Sequence, residues 1–178
     1  LKKRIGIAGL RTFAASPALS ICFVGTGDKG VLLIVDLDAG REIGRFDANG
    51  LQREAELGRS GVKRGKDSAS ISGFDTFEVS VDGMYLFCRS WGGLHRFRIE
   101  DATIVYEEAG PRLLDGDARI EMDPNGKYVA SASGYRPPEH PPIQGFHVYA
   151  VRDLQRPILS IDIGDWSRAM AFDRERGR

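Results

Sequence analysis

Phe77-Glu78-Val79, Met84-Tyr85-Leu86-Phe87-Cys88-Arg89, Leu94-His95-Arg96-Phe97-Arg98-Ile99 and Ile104-Val105-Tyr106-Glu107 follow one another along one stretch of the chain. Turn-forming residues separate them: Val81-Asp82-Gly83, Ser90-Trp91-Gly92-Gly93 and Glu100-Asp101-Ala102. Short runs rich in aromatic and β-branched residues, broken by Asp and Gly, read as strands joined by hairpins. Four in succession, with connections too short for a crossover, predict an antiparallel meander.

The same unit recurs on both sides. Aligned without gaps on Phe13, Phe77 and Ile120, each copy opens with a short strand that runs into a turn: Ser16-Pro17, Ser80-Val81-Asp82-Gly83 and Asp123-Pro124-Asn125-Gly126. A second strand follows over Ser20–Val24, Met84–Cys88 and Lys127–Ser131, and then Thr26, Ser90 and Ser133 stand at one fixed offset. The third strand covers Leu33–Leu37, His95–Ile99 and His147–Val151, with its first, third and fifth positions on one face, mostly apolar. Outer strands are expected at Glu42–Phe46, Ile104–Glu107 and Ile158–Ile161, and Met170-Ala171-Phe172-Asp173 begins a further copy. The starts are spaced by 64, 43 and 50 residues, and removal of two insertions leaves a period near 43. That is the length of one propeller blade, about 40–45 residues.

Val35-Asp36-Leu37-Asp38-Ala39-Gly40-Arg41-Glu42 resembles the end of a WD40 or YVTN-type β-propeller repeat: a strand, an Asp-Ala-Gly turn and a returning strand. WD40 repeats usually carry Trp where this chain has Val35, Phe97 and Tyr149, and their Gly-His pair is missing, so the resemblance is to a WD40-like propeller. It implies an all-β fold of consecutive four-stranded antiparallel blades, a partial propeller over residues 1–178. The expected blades are 10–46, 75–107 and 118–163, with a further start at 168–178 and insertion loops at 47–74 and 134–144. Three blades do not close a ring, and an open arc would leave apolar faces bare. The remainder of the ring is therefore expected from elsewhere in a longer chain, and Arg4-Ile5-Gly6-Ile7 fits the outer strand of a preceding blade.

Composition narrows function by exclusion. Lys+Arg and Asp+Glu both number 25, so the chain-wide positive field of a nucleic-acid binder is absent and no nucleic-acid partner is expected. No apolar run approaches the ~18 residues a spanning helix needs, so membrane insertion is not expected either. Cys22 and Cys88 fall in the second strands of consecutive blades, two residues apart in register and pointing the same way around the ring. They read as reduced, small hydrophobes, which is compatible with a cytoplasmic protein; the start at Leu1 leaves the compartment unread.

Alternate turns of a meander lie at opposite ends of the sheet. The second-to-third-strand connections and the blade-to-blade connections share one end, and both insertions belong to those classes. So do Trp91 and Trp166, the two tryptophans, and the Pro-rich run Gly134–Gln144 with Tyr135, Arg136 and His140. Loops held on a rigid scaffold are where binding residues concentrate, and aromatic residues with Arg are favoured anchors. Trp91, Trp166, Tyr135, Arg136 and His140 are the candidate contacts for a protein or peptide partner. The bland alternative is that both indoles cap blade cores and the insertions are surface cover; Lys63–Lys66 sits in a loop of five basic and four acidic residues, a solvated balance.

Catalytic chemistry finds little foothold. His95 and His147 share a repeat position, which points to a structural imidazole. Glu139 and His140 lack a third ligand at metal spacing, and HExxH, CxxC and phosphate-loop patterns are missing. Gly25-Thr26-Gly27-Asp28-Lys29-Gly30 leads into a strand rather than a helix and is a blade turn. No cofactor and no metal are expected. The reading is a non-catalytic scaffold for recognition; the alternative is a segment of a propeller enzyme, lactonase-like or quinoprotein dehydrogenase-like. Its channel-facing candidates are Arg11, Thr12, Asp75, Asp117, Arg119 and Arg168.

Overall fold

A computed structural model describes residues 7, 9–16, 18–26, 30–48, 73–90, 93–101, 103–111, 119–132, 145–161 and 170–173. Twelve strands lie among them: β1 (Leu10–Ser16), β2 (Ile21–Thr26), β3 (Val31–Asp36), β4 (Arg41–Asp47), β5 (Thr76–Val79), β6 (Tyr85–Ser90), β7 (Gly93–Glu100), β8 (Thr103–Ala109), β9 (Arg119–Met122), β10 (Tyr128–Ala132), β11 (Phe146–Ala150) and β12 (Leu159–Ile161). They form three four-stranded sheets, β1-β2-β3-β4, β5-β6-β7-β8 and β9-β10-β11-β12, each an antiparallel meander in chain order. β1 lies beside β5 and β5 beside β9, while β4 lies beside β8, so like edges of successive sheets adjoin. These are consecutive blades of a β-propeller.

The turns form for local reasons. Gly83 N–H donates to Ser80 O at 2.8 Å, and Gly126 N–H to Asp123 O at 2.8 Å, with φ of 72° and 69° that favour glycine. Blade 1 has Leu19 at that place; its N–H still donates to Ser16 O at 3.3 Å, but the positive φ passes to the next residue, Ser20. Asp36 closes the β3–β4 turn by accepting the Ala39 N–H at 2.7 Å, while Gly40 takes φ 63°.

Equivalent cross-strand rows recur in the three sheets. Phe13, Val24 and Leu33 stand in one cross-strand row of blade 1. Phe77, Cys88 and His95 make the same row in blade 2, and Ile120, Ser131 and His147 make it in blade 3. A bulge recurs too: β4 gains a residue opposite Ile34/Val35, and β8 gains one opposite Arg96/Phe97.

Blade 2 is buried on both faces, one against blade 1 and the other against blade 3. Ile21, Phe23, Leu32 and Ile34 of blade 1 meet Phe77, Leu86, Cys88, Phe97 and Tyr106 of blade 2. Phe87 and Leu94, on the other face of blade 2, meet Ile120, Met122, Val129 and Tyr149 of blade 3. A fully buried Phe or Leu side chain contributes roughly 1.5–3 kcal/mol, so these two seams are the main source of stability. Phe74, expected at the edge of an insertion, is wholly buried in the first seam. Cys22 and Cys88 are free thiols.

Candidate functional site

β2 and β4 end, and β3 and β5 begin, at one end of the sheets, and the later blades repeat the pattern. Trp91 and Gly92 join Ser90 to Gly93, which are themselves paired; Tyr135, Arg136 and His140 belong to the connection between Ala132 and Gly145. Trp166 falls between Ile161 and Met170. All five candidate contacts, Trp91, Trp166, Tyr135, Arg136 and His140, lie outside the described residues, as do Asp117 and Arg168.

The described residues beneath that end form a polar layer inside the seams. In blade 2, His95 is fully buried, with Nε2 2.8 Å from Ser90 Oγ and Nδ1 3.1 Å from Tyr106 Oη. In blade 3, His147 Nδ1 lies 2.9 Å from Ser160 Oγ. Both imidazoles are structural, as their repeat position predicts, and each ties an inner element of its blade to the outer strand.

Arg89 is the largest wholly buried side chain in the molecule's described part. It shares a face of blade 2 with Phe87 and Leu94, which turns it toward blade 3. Burial, and secondarily the Arg89 charge, holds His147 below the usual imidazole range. Burial pushes the Tyr149 phenol up to about 12, with Arg89 opposing. The Cys88 thiol is raised well above its ordinary value, first by burial and then by the negative charge of Asp75. Both thiols are thereby kept protonated and poorly nucleophilic. The sequence does not single out Arg89, because an Arg in an alternating strand looks like an outward residue until a neighbouring blade covers that face.

Near the axis, Arg11 Nη2 stands 3.3 Å from Asp75 Oδ1, joining β1 to the approach to β5. Two of the channel candidates are thus spent on each other; Arg119 at the start of β9 is exposed. Among the described residues no group of His, Cys, Asp and Glu is arranged to hold a metal ion, and no helix is long and apolar enough to cross a membrane.

The opposite end departs from expectation. It carries tight turns in blades 1 and 2, but in blade 3 residues 151–158 form a strap that reaches back over blade 2. Leu154 is wholly buried with Phe87 and Leu94. Arg96 Nη1 donates to Val151 O at 2.7 Å and pairs with Glu107 at 3.1 Å and Glu108 at 3.2 Å, its guanidinium 5.3 Å from the centre of the Tyr85 ring. Gln155 Nε2 donates to Ala109 O at 2.7 Å. Glu107 is the bulged residue of β8, which lets it also accept from Arg98 Nε at 2.8 Å.

Three four-stranded antiparallel meanders packed face to face in chain order define a β-propeller fold. Solved structures share the fold. Hydrazine synthase of Kuenenia stuttgartiensis matches with a TM-score of 0.59 at 13% identity, covering 85% of this chain and 36% of that one. The Cps50 (Swd1) β-propeller domain of Myceliophteria thermophila matches at 0.57 and 12%, covering 86% and 43%. A putative 6-phosphogluconolactonase from Bacteroides uniformis matches at 0.53 and 13%, covering 79% and 36%. The chain therefore spans well under half the length of these proteins, and at such identities the likeness is one of fold. No protein-family model and no curated protein sequence matches the chain.

Proposed function

We propose that this chain is the recognition part of a non-catalytic β-propeller scaffold, completed by further blades of its own ring. It takes a protein or peptide on the end from which the long connections leave. Trp91, Trp166, Tyr135, Arg136 and His140 are the proposed contacts, with the indoles as anchors. The observation that carries the reading is the shared end: connections 49–72, 112–118 and 133–144 all depart from it, above a layer of buried polar groups. Rigid blades below and long connections above are the arrangement in which binding residues usually occur. The described polar groups suit support better than chemistry: His95 is engaged on both ring nitrogens, and Arg11 pairs with Asp75.

The test is capture of partners from an extract of the source cells by the intact protein and by its Trp91→Ala/Trp166→Ala double variant, with circular dichroism confirming the fold. Loss of the partners bound by the parent protein is expected. Undiminished capture by a folded double variant removes the proposal.

A further inference from the structure

Ser131 and His147 are cross-strand partners on β10 and β11, in the row of blade 3 that runs from Ile120 to Ser160 and faces blade 2. Ser131 is wholly buried and His147 is 6% exposed. Ser131 Oγ and His147 Nε2 are buried without a hydrogen-bond partner among the described residues. Buried polar atoms are nearly always bonded, to the protein or to a small species held with it. The same two places carry Val24 and Leu33 in blade 1, and Cys88 and His95 in blade 2. The apolar pair needs no partner, a buried thiol behaves as a small hydrophobe, and His95 Nε2 is met by Ser90 Oγ at 2.8 Å. Of the three blades, the third alone sets a hydroxyl beside the imidazole. Opposite stands the row Thr76, Arg89 and Leu94 of blade 2. Arg89 is wholly buried there, where blades 1 and 3 have Gly25 and Ala132.

We propose that Ser131 Oγ and His147 Nε2 hold a small monovalent anion of the chloride class in the seam between blades 2 and 3, within the field of the Arg89 guanidinium. The chemistry of the two facing rows selects the charge. They supply hydroxyls, an imidazole and a guanidinium but no carboxylate, so a cation has no ligand there. The imidazole can serve as a donor. Nδ1 lies 2.9 Å from Ser160 Oγ, whose hydroxyl can donate to it, which leaves the single ring proton of neutral His147 on Nε2. Burial and the Arg89 charge favour that neutral ring. A water molecule would accept the same two hydrogen bonds but bring no charge to a buried guanidinium, whereas an anion gains from it. A polyatomic oxyanion needs more donors than two side chains offer, and the seam beside it is filled by Phe87, Leu94 and Ile120. A single-atom ion fits these constraints, and it ties blade 3 to blade 2 independently of whatever the loop-bearing end binds.

The test follows thermal unfolding of the intact protein in sodium gluconate, whose anion is too large for the seam, as chloride or bromide replaces it at constant ionic strength. A saturable rise of the midpoint is expected, about 3–6 °C once the halide exceeds its dissociation constant tenfold. Ser131→Ala and His147→Leu, the latter the residue that blade 1 carries at this place, are expected to lose at least half of that rise. A purely structural hydroxyl or ring predicts instead that each variant shifts the midpoint equally in gluconate and in chloride. A midpoint indifferent to halide, or a halide effect that both variants keep in full, overturns the proposal. Crystals of the unaltered protein grown in bromide give a readout that needs no variant. An anomalous peak is expected between Ser131 Oγ and His147 Nε2, and a water molecule or continuous protein density there overturns the site.

Discussion

Gly25 gives the sharpest test of how blades 1 and 2 are joined. A Cβ at this position would stand 2.8 Å from Phe74 Cβ, 2.9 Å from Phe77 Cζ and 2.9 Å from Thr12 Cγ2. Carbon atoms rest about 3.5–4.0 Å apart, so the methyl of alanine arrives roughly 0.6–1.2 Å too close on three sides. One of the three atoms is a Cβ fixed to the backbone, which cannot swing away. Overpacking of a filled core costs about 1–3 kcal/mol. Against this, loss of glycine's freedom in the unfolded chain returns about 0.4–1 kcal/mol. The net expectation for Gly25→Ala is destabilisation by about 1–2 kcal/mol, which lowers the midpoint by roughly 2–8 °C at about 2–4 °C per kcal/mol. The assay is thermal and urea unfolding of the intact protein. Combination variants then ask whether the crowding is where the structure puts it. Phe77→Leu withdraws one contact and Thr12→Ser another, so each should lessen the penalty of Gly25→Ala, with a coupling of at least about 0.5 kcal/mol. A Gly25→Ala variant that is more stable than the parent, or penalties that simply add, would refute the close approach of Phe74, Phe77 and Thr12 to Gly25.

Three other outcomes follow from the seams. Because His147 has a folded-state pKa below its ordinary 6.5, the unfolded chain binds the extra proton first as pH falls. The stability this contributes is complete above about pH 6.5 and is lost toward lower pH, and His147→Gln should flatten the dependence of the midpoint between pH 7.5 and 5.5 by up to one proton. Arg96→Met should cost about 2–3 kcal/mol by leaving Glu108 without its cation and the Val151 carbonyl without this donor, while Glu107 keeps Arg98. Its signature is faster amide exchange at Leu154 and Gln155, and Arg96→Lys should restore little, since an ammonium cannot make the forked contacts. Tyr106→Phe removes the hydroxyl beside buried His95 Nδ1 and should cost about 1–3 kcal/mol in urea unfolding, whereas a mere ring-packing role for Tyr106 predicts no loss.

How much could be read beforehand divides along a physical line. Signals that live within a hairpin were readable: the Asp-Gly and Asn-Gly turns, the period-two alternation and the shared offset of His95 and His147 follow from a few adjacent residues. They set the alignment on Phe13, Phe77 and Ile120 that the register bears out. Signals that exist only between blades were not. Phe74 reads as the tail of a polar insertion, yet it is fully buried because blade 1 offers it the space beside Gly25. Arg89 reads as an outward strand residue until blade 3 covers it. The strap over 151–158 looks like one more turn, since Arg96, which holds it, is 55 residues away in sequence. The recurring bulge of blades 1 and 2 escapes a gapless comparison because the extra residue changes the spacing only within the outer strand, after the turns that fix the alignment. The rim residues Trp91, Trp166, Tyr135, Arg136 and His140 depend on connections whose shape no local pattern determines.

That division bears on why the blades keep their order. Their backbones are near-equivalents, so hydrogen bonding within a sheet cannot distinguish one neighbour from another. Facing positions differ, among them the one occupied by Gly25, Arg89 and Ala132, and so do the rows they meet. Phe77 could not enter the space beside Arg89 without displacing a buried guanidinium. Ile120 set opposite Gly25 would leave a void, because its side chain stops short of where the Phe77 ring ends. Either exchange costs as much as a core substitution, about 2–5 kcal/mol, while the correct order costs nothing. Volume at the seam therefore fits each blade to its chain neighbour and reinforces the order that the connections impose. The buried charge of Arg89 adds to the discrimination, since a seam lined like the first, with Phe77 and Cys88, would give it only apolar surroundings.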